Sequence, residues 1–223
     1  MQRPVISATE LRLFSLFDGV SNDEIKSITS YIHIRNYPQK TQIITESDPS
    51  QCLYFILSGS VKVFLDDNNG KEIIVNQHHK HEFFGELGLM QNIPRTASVV
   101  TSTETRLGIM TAQDFKNCLF NHPALAMNLI NNLVTRLINA TETIRQLGLM
   151  DVYGRIAVTF FNMSVEKGDI RVINEKLTQQ SIASLVGASR EMVARILKDL
   201  KTGGYITIDK GIISILKPLP QNW

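Results

Sequence analysis

The stretch FFGELGLMQNIPRTASVV, residues 83–100, sets a single helical turn, FFGELGLM, among a series of short strands. Gly85 has no side chain, so its backbone N–H can approach a ligand closely. A helical turn that starts there directs free N–H groups outward, where they favour an anion. Glu86 lies among the apolar neighbours Phe84 and Leu87, which suits it to one particular hydroxyl group. Arg95 offers a planar, permanently charged fork that fits a phosphate diester, and Thr96 adds a hydroxyl beside it. Together these groups can take a sugar hydroxyl and a cyclic phosphate at once. The plainer alternative is a helix–strand connection in which Glu86 and Arg95 make a surface ion pair.

Upstream, TQIIT, CLYFILSGSVKVFL and DDNNGKEIIVN alternate in the manner of strands, and TASVVTS and TRLGIM continue the pattern downstream. Asp66-Asp67-Asn68-Asn69-Gly70 reads as a hairpin turn, since Asn and Gly accept positive φ at low cost. Strands with little helix between them predict a small antiparallel barrel or roll over Ile34 to Met110. His78-His79-Lys80-His81 is expected to be a solvated loop at a hairpin end, because a metal needs ligands fixed from several elements. Ahead of the roll, Leu11, Phe14, Leu16, Phe17, Ile25 and Ile28 have helical spacing. Ser21 with Glu24 forms a capping box that starts a helix near Asn22.

Beyond the roll, Ala126, Ile130, Leu133, Leu137, Ala140, Ile144 and Leu147 follow alternating steps of four and three, a heptad seam. Leu125, Leu129, Val134 and Ile138 form a second stripe. One stripe suits the roll and the other a second copy of the helix; one broad buried face in a monomer is the alternative. A helix is expected over Val152 to Val165, followed by a polar loop, Glu166 to Glu175. TQQSIASLVG and SREMVARILKDLKTGG then read as two helices joined at Gly187-Ala188. YITIDKGIISIL makes two strands around Asp209-Lys210-Gly211. Helix, tight turn, helix and hairpin are the parts of a winged helix-turn-helix. Thr178 and Ser189 cap its helices, and Val193, Ile196 and Leu197 face inward. Arg190, Glu191, Met192, Ala194 and Arg195 are left on the exposed half, where Arg suits guanine and Glu suits cytosine.

Bulk properties narrow the function. No apolar run approaches the roughly 20 residues of a membrane span. The N-terminus lacks the apolar region and cleavage site of a secretory signal, so a cytoplasmic protein is expected. Cys52 and Cys118 have no metal-ligand spacing and are expected to be reduced packing residues. Residues 1–150 carry 13 basic and 14 acidic side chains, net −1, whereas residues 151–223 carry 10 and 7, net +3. The basic bias of the C-terminal third suits phosphates. No Walker loop, kinase glycine-rich string or nucleophile elbow is present, so no enzyme is expected.

Gly85, Glu86, Leu87, Leu89, Pro94, Arg95, Ala97 and Val99 resemble the phosphate-binding cassette of cyclic-nucleotide-binding domains. ILSGSVKVF (Ile56 to Phe64) resembles the strand–glycine–strand element of the same domains. VGASREMVARILKDL resembles the recognition segment of the catabolite activator proteins (cyclic AMP receptor proteins), within the fumarate-nitrate regulator superfamily of bacterial transcription factors. The resemblance implies an α+β fold in three parts. These are a jelly-roll-like sensor over residues 1–122, a dimerisation helix and hinge over 123–150, and a winged helix-turn-helix over 151–223. It implies ligand contacts from Gly85, Glu86, Leu87, Arg95, Thr96 and Ala97, with Glu86 on the ribose 2′-hydroxyl and Arg95 on the cyclic phosphate. Thr141 would reach the base across a homodimer, although Ala140 lacks the hydroxyl that the family carries beside it. Cyclic AMP is the favoured effector, with cyclic GMP, a cyclic dinucleotide or no ligand as alternatives.

On double-stranded DNA, Arg190, Glu191 and Arg195 would read bases, and Thr178, Gln180 and Ser189 would hold phosphates. The expected site is palindromic with TGTGA-like halves, and Met192 stands where the family has a small hydroxyl residue. RNA polymerase is an expected partner, with Gln113-Asp114 acidic where the family's polymerase-facing Lys falls. Leu149 to Val152 resembles the hinge that passes ligand binding on to the DNA module. The chain lacks the cysteine cluster of the iron–sulfur relatives, and no metal is expected.

Overall fold

The computed structural model describes residues 6–66 and 72–220. Residues 67–70 of the expected hairpin turn, and the first five residues, lie outside the described residues. The chain divides into two compact units, the N-terminal one ending at Leu137 and the C-terminal one starting at Ile138.

The N-terminal unit opens with α1 (Ala8–Leu11), a 3-10 turn (Ser15–Phe17) and α2 (Asn22–Thr29). Capping boxes start both helices, Ser7 with Glu10 and Ser21 with Glu24, so α2 begins where the sequence places it. Leu11, Phe14, Leu16, Phe17, Ile25 and Ile28 are all buried.

There follow β1 (His33–Tyr37), β2 (Gln42–Ile44), β3 (Cys52–Ser58), β4 (Ser60–Asp66), β5 (Glu72–His79) and β6 (Phe83–Phe84). After them come α3 (Glu86–Gln91), β7 (Ser98–Thr101) and β8 (Thr105–Thr111). They build two four-stranded sheets, β1-β8-β3-β6 and β2-β7-β4-β5; β8 runs antiparallel to β1 and β3, β6 to β3, and β7 to β2 and β4. Alternation along β3 divides its side chains between two cores. Leu53, Phe55 and Leu57 join the helices' Phe14 and Phe17, while Ile56 joins Ile44, Val61, Phe84, Val99 and Leu107. The roll is therefore lined inside and clad with helices outside.

His78 departs from its expected place in a solvated loop. With His79 it ends β5, and it is buried, with Nδ1 3.0 Å from Glu82 Oε2 and its ring stacked on Phe84. A carboxylate partner and an aromatic face make that burial tolerable.

α4 (Ala112–Asn121) and the first part of α5 (Pro123–Leu149) complete the helical part of the roll's flank. Pro123 sits at the first position of α5, where a missing N–H costs nothing. Of the second stripe only Leu125 and Leu129 are buried, with Leu133 of the heptad seam packed partly beside them. Val134 and Ile138 of that stripe are exposed, as are the heptad residues Ile130, Leu137 and Ile144. No helix among the described residues is long and apolar enough to cross a membrane.

The C-terminal unit contains α6 (Val152–Met163), β9 (Ser164–Lys167), β10 (Ile170–Ile173), α7 (Gln179–Val186), α8 (Arg190–Thr202), β11 (Ile206–Asp209) and β12 (Ile212–Ile215). The expected polar loop after α6 is instead a hairpin. Val165 belongs to β9 rather than to the helix, and Lys167 pairs with Ile170 around Gly168-Asp169. β10 also pairs with β12, so the wing grows into a four-stranded sheet, β11-β12-β10-β9. The alternation Ile170, Val172 against Arg171, Ile173 allows this, because only Ile173 is needed in the core.

Candidate functional site

Gly85 precedes α3 with φ 88°, and a Cβ there would come within 2.8 Å of the Arg95 guanidinium. The left-handed backbone and the close approach both demand glycine. Glu86, the first residue of α3, is 1% exposed. Its Oε1 accepts a bond from Nη1 of Arg136 on α5 at 2.7 Å. Arg136 also donates through Nη2 to the Phe83 carbonyl at 2.7 Å and lies 4.8 Å over the Phe83 ring. The other carboxylate oxygen, Oε2, is buried with no hydrogen-bond partner among the described residues. A buried acceptor left unpaired costs about 1–3 kcal/mol. A hydroxyl donor entering beside it would remove that cost.

Arg95, ten residues on, is 7% exposed. Its Nη1 and Nη2 donate to the carbonyls of Gly85 and Cys52, each at 2.7 Å, and the guanidinium lies 5.8 Å over the Tyr54 ring. The backbone is fixed as well: Arg95 N donates to Asp48 O at 2.8 Å, and Ser47 N to Arg95 O at 2.9 Å. Burial pulls the guanidinium below its ordinary pKa, against the opposing pull of Tyr54, Cys52, Glu86 and Asp48. No carboxylate is in salt-bridge contact with Arg95 among the described residues. A buried cation held by neutral carbonyls is a receptor for an anion. These residues fit a ligand carrying both a hydroxyl and a negative charge.

The fold thus brings Gly85, Glu86 and Arg95 together. Leu87 is half-exposed on α3, while Thr96 is exposed and Ala97 partly buried in the bend before β7. Thr141 lies in the second half of α5, within the other compact unit. Cys118 is buried and its thiol is pushed up to about 11 by that burial; both cysteines are free.

In the C-terminal unit Thr178 forms a capping box with Ser181, and Gly187 closes α7 at φ 63°. Ser189 then caps α8 by accepting from Met192 N at 3.2 Å. Val193, Ile196, Leu197 and Leu200 are buried. Thr178, Gln180, Ser189, Arg190, Glu191 and Arg195 are all exposed, on the two helix starts and the outer side of α8. The wing is tied to this motif where Leu177 N donates to Gly211 O at 2.8 Å.

Residues 34–122 match the cyclic nucleotide-binding domain family, and residues 154–218 match the Crp-like helix-turn-helix domain family. Over 182 residues the chain is 34% identical to the cAMP-activated global transcriptional regulator CRP of Salmonella typhimurium, spanning 80% of this chain and 87% of that protein. The chain belongs to the CRP/FNR family of transcription regulators. It is likewise 31% identical over 199 residues to the CRP-like cAMP-activated global transcriptional regulator of Mycobacterium tuberculosis, covering 87% of this chain and 88% of that one. The c-di-GMP responsive global regulator CLP of Xanthomonas campestris shares its fold at a TM-score of 0.79 and 26% identity, over 88% of this chain and all of that one. A CRP/FNR regulator is a DNA-binding protein and not an enzyme, which agrees with the helix-turn-helix and the cyclic nucleotide-binding domain of this chain.

Two residues with clear structural roles in this CRP/FNR chain escaped the sequence reading. Arg136 is one of two arginines on α5, and nothing in the helix pattern distinguishes it; only the fold sets it against Glu86. Arg155 on α6 donates through Nε to Val186 O at 2.7 Å and through Nη1 to Met150 O at 2.8 Å. It joins the helix-turn-helix turn to the segment just after α5.

Proposed function

We propose that this protein is a homodimeric transcription regulator whose affinity for DNA is set by cyclic AMP, and that it binds a palindromic site with TGTGA-like halves. The observation that carries the reading is the half-satisfied Glu86, with its partnerless Oε2, upstream of a buried Arg95 whose terminal nitrogens donate to carbonyls and meet no carboxylate among the described residues. A cyclic nucleotide supplies a ribose hydroxyl and an anionic phosphodiester. Glu86 accepts the hydroxyl, Arg136 holds Glu86 in place, and Arg95 meets the phosphate with Thr96 and Ala97 beside it. Gly85 keeps that approach clear, and Leu87 closes its edge. Thr141 reaches the base.

The sensor covers residues 1–122, the dimerisation helix and hinge 123–150, and the DNA module 151–223. The exposed heptad residues Ile130, Leu137 and Ile144, at 50%, 67% and 70%, support pairing through α5, since such a row favours a partner over water. Arg190, Glu191 and Arg195 read base edges, while Thr178, Gln180 and Ser189 hold phosphates. RNA polymerase is the partner through which the bound dimer acts, in the cytoplasm. A cyclic dinucleotide is the second reading, supported by the likeness to CLP and by Ala140 in place of a hydroxyl residue.

Titration calorimetry of the full chain against cyclic AMP, cyclic GMP and cyclic di-GMP tests the assignment. Cyclic AMP is expected to bind once per chain and most tightly of the three, with Arg95→Ala and Glu86→Gln abolishing the heat. Tighter binding of cyclic di-GMP would install the second reading. Binding unchanged by both substitutions would overturn the site.

A further inference from the structure

Among the side chains of α8 that the roles of Arg190, Glu191 and Arg195 leave unused, Met192 has two partners of its own. Met192, the third residue of the helix, is partly buried at the edge of the exposed face. Part of it packs against the cluster that holds Val193, Ile196 and Leu197. Its sulfur meets the exposed Arg195, whose Nη2 lies 3.0 Å from Sδ. A thioether is a weak acceptor, so this contact is a soft restraint. It occupies one of the five N–H donors of Arg195 and leaves a two-donor edge for guanine.

Residues three apart on a helix are neighbours, with Cβ atoms roughly 5–6 Å apart. Bases follow one another at about 3.4 Å along a strand. Met192 and Arg195 therefore address bases one or two steps apart when this face of α8 enters a major groove. The apolar feature that a base presents there is the C5-methyl group of thymine. An unbranched, polarisable side chain ending in a methyl group matches it well.

We infer that Met192 is a specificity-determining residue, contacting the methyl group of a thymine one or two steps from the base that Arg195 reads while its sulfur limits the rotamers of Arg195. This rests on the reading of α8 as the base-contacting helix. Fixing the arginine before binding lowers the entropy lost on DNA. A serine at this position would provide neither contact, and a threonine would offer a methyl group but no sulfur.

The test uses the full chain. A site is selected from randomised duplexes with cyclic AMP present and again with cyclic di-GMP present, and each thymine of the selected site is then replaced by deoxyuridine, which removes only the methyl group. Wild type is expected to weaken roughly three- to fourfold at one thymine per half-site, the worth of one buried methyl group (about 0.8 kcal/mol). Met192→Ala should show no sensitivity to that methyl. Met192→Leu should keep the methyl sensitivity and discriminate less at the guanine that Arg195 reads, because it lacks the sulfur. Equal methyl sensitivity in wild type and Met192→Ala, or none at any thymine of wild type, would overturn the inference. Arg195→Ala and Glu191→Ala separate the two levels. If they change the selected sequence while Met192 is silent, only Met192 is misassigned. If they leave it unchanged, or if no sequence is enriched, α8 is not the reading helix.

Discussion

Arg95 and Glu86 in the roll, and Arg195 and Glu191 on α8, are the same two residue types in opposite settings. The roll buries both charges and surrounds them with fixed partners: carbonyls for Arg95, and Arg136 for Glu86. On α8 both side chains stand in water, with Arg195 restrained only by a sulfur atom. Burying a charge costs several kcal/mol even after relaxation, so the roll keeps its pair only because most of that cost is already offset by the protein. What remains, an unmatched oxygen and a cation without an anion, suits a ligand that carries both a hydroxyl and a negative charge. Exposed side chains carry no such cost and can adapt to a groove, so their selectivity comes from base edges and their affinity falls with salt. A sensor and a reader can thus be built from the same chemistry by changing only its burial.

The sharpest way to break this contrast is Arg136→Ala. It strips Glu86 of its partner while leaving the carboxylate buried, and breaking a buried pair costs about 3–5 kcal/mol. Because Arg136 is partly exposed, a loss near the lower end, about 3 kcal/mol, is expected in denaturant unfolding. A loss below about 1 kcal/mol, the worth of a surface pair, would mean that Glu86 is less committed than its burial implies. On the reader, Glu191→Ala should cost about 1–3 kcal/mol at a single base position and leave general DNA affinity intact. A uniform fall across all sequences, seen in binding to a panel of single-base variants, would reduce Glu191 to a structural residue.

The smallest effect concerns acid. Glu24 is held down to about 2 by bonds with Ser21 first and His122 second. Its folded value lies below the ordinary 4.5, so the stability it adds is complete above about 4.5 and is lost as pH falls toward about 2. Glu24→Gln should flatten the stability–pH curve across that window, and a slope equal to that of wild type would remove Glu24 from the acid response.

The helical turn after Gly85 and the two capped helices of the C-terminal unit were legible in the sequence because the residues that set them are neighbours along the chain. Gly85 to Ala97, and Thr178 to Arg195, are short runs whose caps and turns are local. Arg136 was not legible, since its contact with Glu86 spans 50 residues and depends on how α5 lies on the roll. The β9–β10 hairpin was hidden by charge: Glu166, Lys167 and Asp169 gave the segment the texture of a loop, although Gly168-Asp169 is a two-residue turn between alternating strands. His78 misled for the opposite reason, because a run of histidines at a strand end looks solvated until Phe84 and Glu82 are placed around it. The two stripes of α5 were read as one for the roll and one for a second helix, but the residues buried against the roll, Leu125, Leu129 and in part Leu133, come from both. α4 went unread, although Thr111 accepting from Asp114 N is a recognisable helix start.

The link between sensor and reader is tested most directly by the DNA affinity of wild type and Arg95→Ala, each measured with and without cyclic AMP on a duplex bearing a TGTGA-type palindrome. Wild type should bind roughly 5–150-fold more tightly when cyclic AMP is present, the usual range of allosteric coupling. Arg95→Ala should keep only the weak binding of the ligand-free protein. Equal tightening of both proteins by cyclic AMP would contradict the role given to Arg95.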